Sequence, residues 1–529
     1  MKAYKVLYIS FLALFFVSCT EDLLNPLPKD RLASDLFWKT EGDAIYASNG
    51  IYSVLGNQWR YTCMDAYSDI SHMILQWRSE SEIEKNTFNS SNNVVADEWT
   101  YYYTIIQVAS TFLDNVDLVA SMNEELRGRL KAEAKTLRAF AYINLAMLYG
   151  DVPLVKNSLT VDEAKAFSRN PVSEIWDFIS QELTSAAADL PTVQQERGRV
   201  TKGVALGLKA RAMLYAGRYQ DAKAAAKSVM DLGVYTIYES YADLFDYAGV
   251  GASEIMFARQ YAQNLSPHGI FGFYTANSLF TNSCQAVPTK PLVDAYLMKT
   301  TGLPIDNPAS GFDPRNPYKD RDPRLSHTIY VSGDILPDGK ALNTYPGNGS
   351  GDDIRSSAEN VTSTGWYVKK YVSEADYVNR NNCGVSLIYL RYAEVLLTYA
   401  EASVELGESE INQSVLDALN QLRNREDVKM PHVTTTNQTE LRKIVRRERM
   451  VELALEGHRL YDIRRWHIGE EVIPGTVKGM TYESTPGGAL VTVEMSGYVK
   501  EFKPDRHYLW PIPFREIDLN PNLKQNLGY

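Results

Sequence analysis

The chain has 529 residues, 45% of them hydrophobic and 22% charged, which is enough apolar content for a full core and excludes wholesale disorder or a multispan membrane architecture. Asp and Glu number 65 against 54 Lys and Arg, a formal net charge of −11 with no basic block, so the chain is poorly suited to gripping a phosphate backbone. Tyrosine (34) is twice as common as phenylalanine (17), and its apolar face and polar tip suit half-wet contact surfaces.

Residues 1–18 read as a signal peptide: Lys2 and Lys5 precede an apolar run from Val6 to Val17 broken only by Ser10. The run falls short of the roughly 20 residues needed to span a bilayer. Ser18-Cys19 resembles a bacterial lipoprotein cleavage site, with Phe16 departing from the usual small or aliphatic residue. Lipidation is therefore expected at Cys19, the other reading being an ordinary secretory signal that ends near a cysteine. Thr20, Glu21 and Asp22 resemble a surface-export signal for lipoproteins, which implies diacylation at Cys19 and an anchored body in the outer membrane facing the exterior. Residues 19–42 would be a tether. Cys63, Cys284 and Cys383 are far apart and contain no C-x-x-C pair, so buried free thiols are expected rather than a disulfide framework or zinc site.

From 43 to 233 the pattern is that of a helical-repeat scaffold. Leu130, Ala134, Leu137, Ala141, Leu145 and Leu148 form one helix face, with Gly150 at the cap position and Pro153 beyond it. Ala205, Leu208, Ala212 and Tyr215 mark a second helix; Tyr219, Ala222, Ala226 and Val229 mark a third after a turn at Gly217-Arg218. The string from Leu214 to Ala222 resembles the middle of a tetratricopeptide repeat, and 97–122 with 124–149 and 388–407 with 412–427 look like further pairs. Residues 234–386 read as a loop-rich insertion in which Glu254–Ala258, Leu325–Val331 and Gly365–Val372 are candidate strands. Helical periodicity returns at Ile388, lasts to about Trp466, and gives way to a Gly/Pro-rich tail within a C-terminal region 387–529. The expected fold class is mostly α: a tetratricopeptide-like helical-pair scaffold with an insertion containing short β-strands.

Three stretches carry a family resemblance. The first runs from Leu390-Arg391-Tyr392-Ala393-Glu394 through Ala400-Glu401-Ala402 to Leu419-Asn420-Gln421-Leu422-Arg423-Asn424-Arg425. The second is Glu448-Arg449-Met450-Val451-Glu452-Leu453, continuing through Glu456-Gly457-His458-Arg459 to Asp462-Ile463-Arg464-Arg465-Trp466. The third is Leu509-Trp510-Pro511-Ile512-Pro513 with Glu516-Ile517 and Asn520-Pro521; Asp320-Arg321-Asp322-Pro323-Arg324-Leu325 fits as well. Together they resemble the SusD/RagB family of outer-membrane nutrient-binding lipoproteins of Bacteroidetes. The resemblance implies a hinged lid beside a SusC-like, TonB-dependent transporter. Such a lid captures an oligosaccharide, or a peptide or glycopeptide in some branches, without catalysis. A lid that binds no ligand and a hydrolase are the rival readings.

Glu448, Glu452, Glu456 and Asp462 lie near Arg449, Arg459 and His458 and invite a catalytic reading. Glycoside hydrolysis needs two carboxylates facing each other across a sugar, whereas glutamates stacked along one helix face more naturally meet arginines of a neighbouring helix. His458 has no H-E-x-x-H partner and reads as a helix-end or packing residue. No catalytic residue, cofactor or metal is therefore expected, no Asp/Asn loop having the spacing for calcium. For a sugar, exposed aromatic faces with hydrogen-bonding neighbours are needed. Trp99, Trp176 and Trp466 fall on helices and read as core, and Trp510 belongs to the structural ending. Trp59, Tyr61 and Trp77, with Asp69 and Arg78, form one loop cluster; Phe271, Phe273 and Tyr274, with Asn277 and Asn282, form another. Relatives place ligand contacts in loops corresponding to these two regions, so the resemblance marks both clusters as ligand-binding. The alternative is that these aromatics plug loops onto helices. Trp366 and Tyr367 rank behind them.

Overall fold

The computed structural model describes residues 37–56, 60, 63–75, 78–280, 284–354 and 360–529. The signal segment 1–18, Cys19, Trp59, Tyr61, Trp77 and Asn282 lie outside the described residues.

Helices begin where polar caps satisfy their first amides. Thr40 and Asp43 form a capping box ahead of α1 (Glu41–Ser53), the Asp43 amide donating to Thr40 Oγ1 at 3.2 Å and the Thr40 amide to Asp43 Oδ2 at 2.7 Å. After β1 (Ser71–Met73) and α2 (Ser79–Lys85), Asn92 caps α3 (Asn93–Asn115) and Asn123 caps α4 (Glu124–Tyr149). All six residues of the Leu130–Leu148 stripe are fully buried. Next come α5 (Val161–Ala166), α6 (Val172–Asp189), α7 (Lys202–Tyr215) and α8 (Tyr219–Asp231). Between α7 and α8, Gly217 takes φ +71°; its amide donates to Leu214 O and the Arg218 amide to Met213 O at 2.8 Å. This closed turn makes the helical hairpin expected from sequence.

The insertion carries α9 (Tyr241–Leu244), β2 (Ile255–Arg259), α10 (Ile270–Tyr274), β3 (Ala286–Pro288), α11 (Lys290–Ala295), α12 (Arg324–Thr328), β4 (Ile329–Tyr330) and β5 (Tyr367–Val368). The C-terminal part holds β6 (Leu387–Arg391), α13 (Tyr392–Leu406), α14 (Gln413–Arg423), α15 (Gln438–Glu452), α16 (Arg459–Arg465), α17 (Gly469–Val472), β7 (Gly475–Glu483), β8 (Leu490–Lys500) and α18 (Phe514–Leu519). Helices pack in a row, α3 on α4, α4 on α6, α6 on α7 and α7 on α8, and α8 then packs on α13 from the far side of the insertion. The row continues through α14 and α15, so the molecule is a mostly helical scaffold with an inserted loop layer. Trp510 is buried at the foot of α4, its amide donating to Leu148 O at 2.7 Å, so the chain end closes on the first half of the row.

Four two-stranded antiparallel sheets, β1–β3, β2–β6, β4–β5 and β7–β8, occur among the described residues. They correct the sequence reading in three places. Ile388–Arg391 is strand, not the start of a helix, because it pairs with β2, and Leu387, Ile388 and Leu390 are all buried. The Leu325–Val331 candidate begins as one turn of helix, α12, and only then enters β4. The Gly/Pro-rich tail contains the longest strands, β7 and β8. Cys63, Cys284 and Cys383 are buried and form no disulfide among the described residues. Among the described residues no helix is long and apolar enough to cross a membrane.

Candidate functional site

The two loop clusters singled out in the sequence leave the same small sheet. In the β1–β3 ladder Met73 pairs with Ala286, and the Ile74 amide continues it by donating to Gln285 O at 3.0 Å. The chain then departs towards Arg78 on one side and arrives from Asn277 on the other. Helix α10 is stitched to this arriving strand, since the Cys284 and Gln285 amides donate to Gly272 O and Phe273 O.

The ladder therefore sets the end of β1 beside the start of β3, and not every candidate of the two regions faces outwards. Phe271 and Tyr274 lie three residues apart on one face of the single-turn α10, and that face is core: their exposures are 0% and 1%. Neither presents an exposed ring in this structure, the arrangement expected of aromatics that plug a loop onto the core. Phe273, on the other face, is half-buried, as is Asn277 in the loop beyond the helix. Asp69 is buried and spent on Arg459, whose Nε and Nη2 both donate to it at 2.8 Å. Arg78 is half-buried at the start of α2, where its carbonyl accepts from the Ser81 amide and hydroxyl. Trp366 and Tyr367 are buried in β5 and before it. Trp99, Trp176 and Trp510 are buried, whereas Trp466, read as core, is half-exposed at the end of α16.

An aromatic and polar surface does form next to α10, from residues the sequence pattern did not single out. The Phe280 ring lies against Gly272, where an added Cβ would meet Phe280 Cε1 at 2.7 Å. The Arg380 guanidinium stands 5.4 Å from the Phe280 ring centre and 4.9 Å from that of Tyr377, and its Nε donates to Tyr377 O at 2.9 Å. Arg380 has no carboxylate partner among the described residues. Around it Asn379 and Asn381 are exposed, and Asn382 exchanges hydrogen bonds with Asn264, its Nδ2 donating at 3.0 Å and its Oδ1 accepting from the Asn264 amide at 2.7 Å.

The supporting layer is densely hydrogen-bonded. His268 and Cys383 exchange backbone hydrogen bonds at 3.0 Å. His268 Nε2 faces Val385 O at 2.8 Å while Nδ1 accepts from the Ile270 amide; burial pushes its pKa below the ordinary imidazole value, so the ring is neutral. The Tyr247 hydroxyl donates to Asp376 at 2.6 Å and accepts from the Gly384 amide at 2.7 Å. On the opposite side the Ser278 amide donates to Asp352 Oδ1 at 2.9 Å. Two planar rings, a guanidinium and several amide side chains are thus held on loops fixed from beneath, an arrangement that can stack on apolar faces and hydrogen-bond hydroxyls. The signal for it in the sequence is the run Tyr377-Val378-Asn379-Arg380-Asn381-Asn382. Only the fold sets that run beside Phe280.

The carboxylates that suggested catalysis lie elsewhere and are neutralised. Arg391 donates to Glu452 at 2.7 Å, to Glu254 at 2.9 Å and to Glu456 at 2.7 Å. Arg425 bonds Glu254 and Glu452, Arg324 bonds Glu448, Glu452 and Asp322, and Arg423 bonds Glu448. Burial alone would raise the Glu452 carboxyl, but Arg425, Arg391 and Arg324 outweigh it and hold the group well below the carboxylate range. Lys370, against Glu456 at 2.7 Å, is brought down to about 8 by burial. His458 is likewise pushed down to about 4 and is neutral. Arginine-saturated carboxylates have no free oxygen poised for acid–base work, and this network instead ties the insertion to α13–α16. Among the described residues no group of three or more His, Cys, Asp or Glu is placed to hold a metal ion.

Two sequence families match the chain: the SusD family over residues 253–529, and a family described as starch-binding, associating with the outer membrane, over residues 45–214. A SusD-like protein of Formosa agariphila is 28% identical over 549 residues, covering 99% of each chain. The starch-binding protein SusD of Bacteroides thetaiotaomicron is 26% identical over 503 residues, covering 86% of this chain and 82% of its own. The crystal structure of a SusD-like carbohydrate-binding protein of Bacteroides fragilis superposes with a TM-score of 0.84 at 30% identity, covering 92% of this chain and all of that one. With more than half of its length matched, and with this fold, the chain belongs to the SusD/RagB family.

Proposed function

We propose that the protein captures an oligosaccharide at the cell surface and delivers it, without catalysis, to a SusC-like TonB-dependent transporter of the outer membrane. The observation that carries this reading is Arg380 standing between Phe280 and Tyr377 within a ring of asparagines. Sugar rings offer C–H faces to aromatic side chains and hydroxyls to amides and guanidiniums, and this surface presents both kinds of group. Phe273 and Asn277, on and just beyond α10, and Arg78 at the start of α2 complete the proposed ligand contacts among the described residues; Trp59 and Trp77 lie outside them. Relatives named as carbohydrate-binding and starch-binding support the ligand class. Outer-membrane association agrees with the matched family's description, and diacylation at Cys19 would supply the anchor.

The test is a panel of neutral oligosaccharides and peptides titrated against the purified chain. At least one oligosaccharide should bind and be recovered unaltered. Binding of peptides alone would contradict the ligand class, and turnover of any polymer would contradict the non-catalytic reading.

A further inference from the structure

We propose that a second cleft, between α15 and residues 304–306, binds the sulfate or carboxylate group of an acidic oligosaccharide. The sugar class of this ligand rests on the proposed function, whereas the anion site rests on two arginines of α15 that line the cleft.

The cleft has a volume of about 440 Å³, within the range of roughly 300–1,000 Å³ of small-molecule sites. Pro304, Ile305, Met450 and Ile468, all half-buried, give it apolar walls large enough to hold a sugar ring. Its charge comes from two successive residues, Arg446 and Arg447. Arg446 stands over the Trp466 indole at 4.8 Å, and that indole is fixed by donating Nε1 to Glu401 Oε1 at 2.6 Å. The Arg446 Nε is buried without a hydrogen-bond partner among the described residues, while its Nη2 makes a long ion pair with Glu405 at 3.6 Å. Arg447 lines the cleft with no ion pair among the described residues, and burial lowers its pKa from the ordinary value against the opposing pull of Asp306.

The other charged groups in the cleft are already engaged or solvated. Arg459 is clamped on Asp69, Asp294 receives Lys290 Nζ at 2.9 Å, and Asp306 is exposed. Arg447, without an ion pair among the described residues, and Arg446, held only by a long pair to Glu405, thus face the one solvated carboxylate of the cleft, Asp306. Planar guanidinium forks fit the paired oxygens of a sulfate or carboxylate, and the apolar walls suit the ring that bears it.

Calorimetry at low ionic strength would compare a sulfated galactose disaccharide, its desulfated counterpart and inorganic sulfate. The sulfated sugar should bind at least tenfold more tightly than either of the others. Arg447→Gln should lose at least tenfold of that affinity, with Arg447→Lys intermediate, while the melting temperature stays unchanged. Arg380→Ala should leave binding of the sulfated sugar intact, which separates this cleft from the surface at Phe280. Equal affinity for the sulfated and desulfated sugars, equal affinity for inorganic sulfate, or full retention in Arg447→Gln would overturn the proposal. Absence of any neutral glycan at the Arg380 surface with the sulfate contrast intact would contradict the proposed function alone.

Discussion

Arg459 grips Asp69 through two parallel hydrogen bonds of 2.8 Å, joining the segment after α1 to the start of α16 across 390 residues of sequence. Both side chains are buried, and the neighbouring Asp65 accepts the Gly457 and Arg459 amides at 2.8 and 3.0 Å. Removing one partner of such a pair strands a buried charge, which costs about 3–5 kcal/mol. Asp69→Ala should therefore lower unfolding stability by that amount in denaturant titrations. Glycan affinity of the protein that remains folded should stay within about twofold, because Asp69 has no free oxygen to give a sugar. A tenfold affinity loss at unchanged stability would restore Asp69 to the binding site.

Gly272 is the contact on which Phe280 rests. An added Cβ would sit 2.7 Å from the Phe280 ring, so Gly272→Val must displace it, at a cost of about 1–3 kcal/mol for overpacking. Because Arg380 stands over that ring, glycan binding should weaken at least fivefold in Gly272→Val. Unchanged affinity in calorimetry would show that the Phe280 position does not matter to the ligand.

His458 makes stability depend on acid. Its folded pKa, near 4, lies below the ordinary 6.5 chiefly because burial disfavours the charged ring, although Glu394 at 3.8 Å pulls the other way and Arg211 and Arg449 add to the depression. Between those values the unfolded chain binds the proton and the folded chain does not, so stability falls as pH drops from 6.5 towards 4. For a shift of this size the loss is about 3 kcal/mol. His458→Asn should flatten the slope of unfolding free energy against pH by up to one proton over that window. Identical slopes for the variant and the parent chain would rule His458 out as the source.

Glu452 holds Arg391, Arg425 and Arg324 together at distances of 2.7 to 2.8 Å. Glu452→Ala should cost about 3–5 kcal/mol and expose the insertion to limited proteolysis. The carboxylate is structural, so folded Glu452→Ala should still bind glycan.

How far the sequence reveals this arrangement depends on the range of the signal. The α4 stripe and the Gly217 turn are local patterns, a 3.6-residue period and one left-handed residue, and both are legible. Leu387–Arg391 reads as helix because a short apolar run has no period of its own; its partner β2 lies more than 120 residues earlier and alone makes it strand. The β7–β8 hairpin is hidden beneath the glycines and prolines around it. In the candidate site, the sequence marks the stretch 271–277 beside Phe280, but the pattern assigns Phe271 and Tyr274 to ligand although a single helical turn points both inwards. Arg380 escapes notice because its neighbour Phe280 lies 100 residues away, a proximity that only tertiary packing supplies.

The most direct test of glycan capture at this surface is calorimetry of the double variant Tyr377→Ala/Arg380→Ala against the oligosaccharide that binds the parent chain best. Both side chains are half-buried on loops held from beneath by Tyr247, His268 and Asn264, so the fold should survive, as unchanged circular dichroism and melting temperature would confirm. Loss of stacking and of the guanidinium should reduce affinity at least tenfold, in line with about 0.5–1.5 kcal/mol for each aromatic contact plus a charged hydrogen bond. Full affinity in the folded double variant would contradict the assignment of this surface as the glycan site.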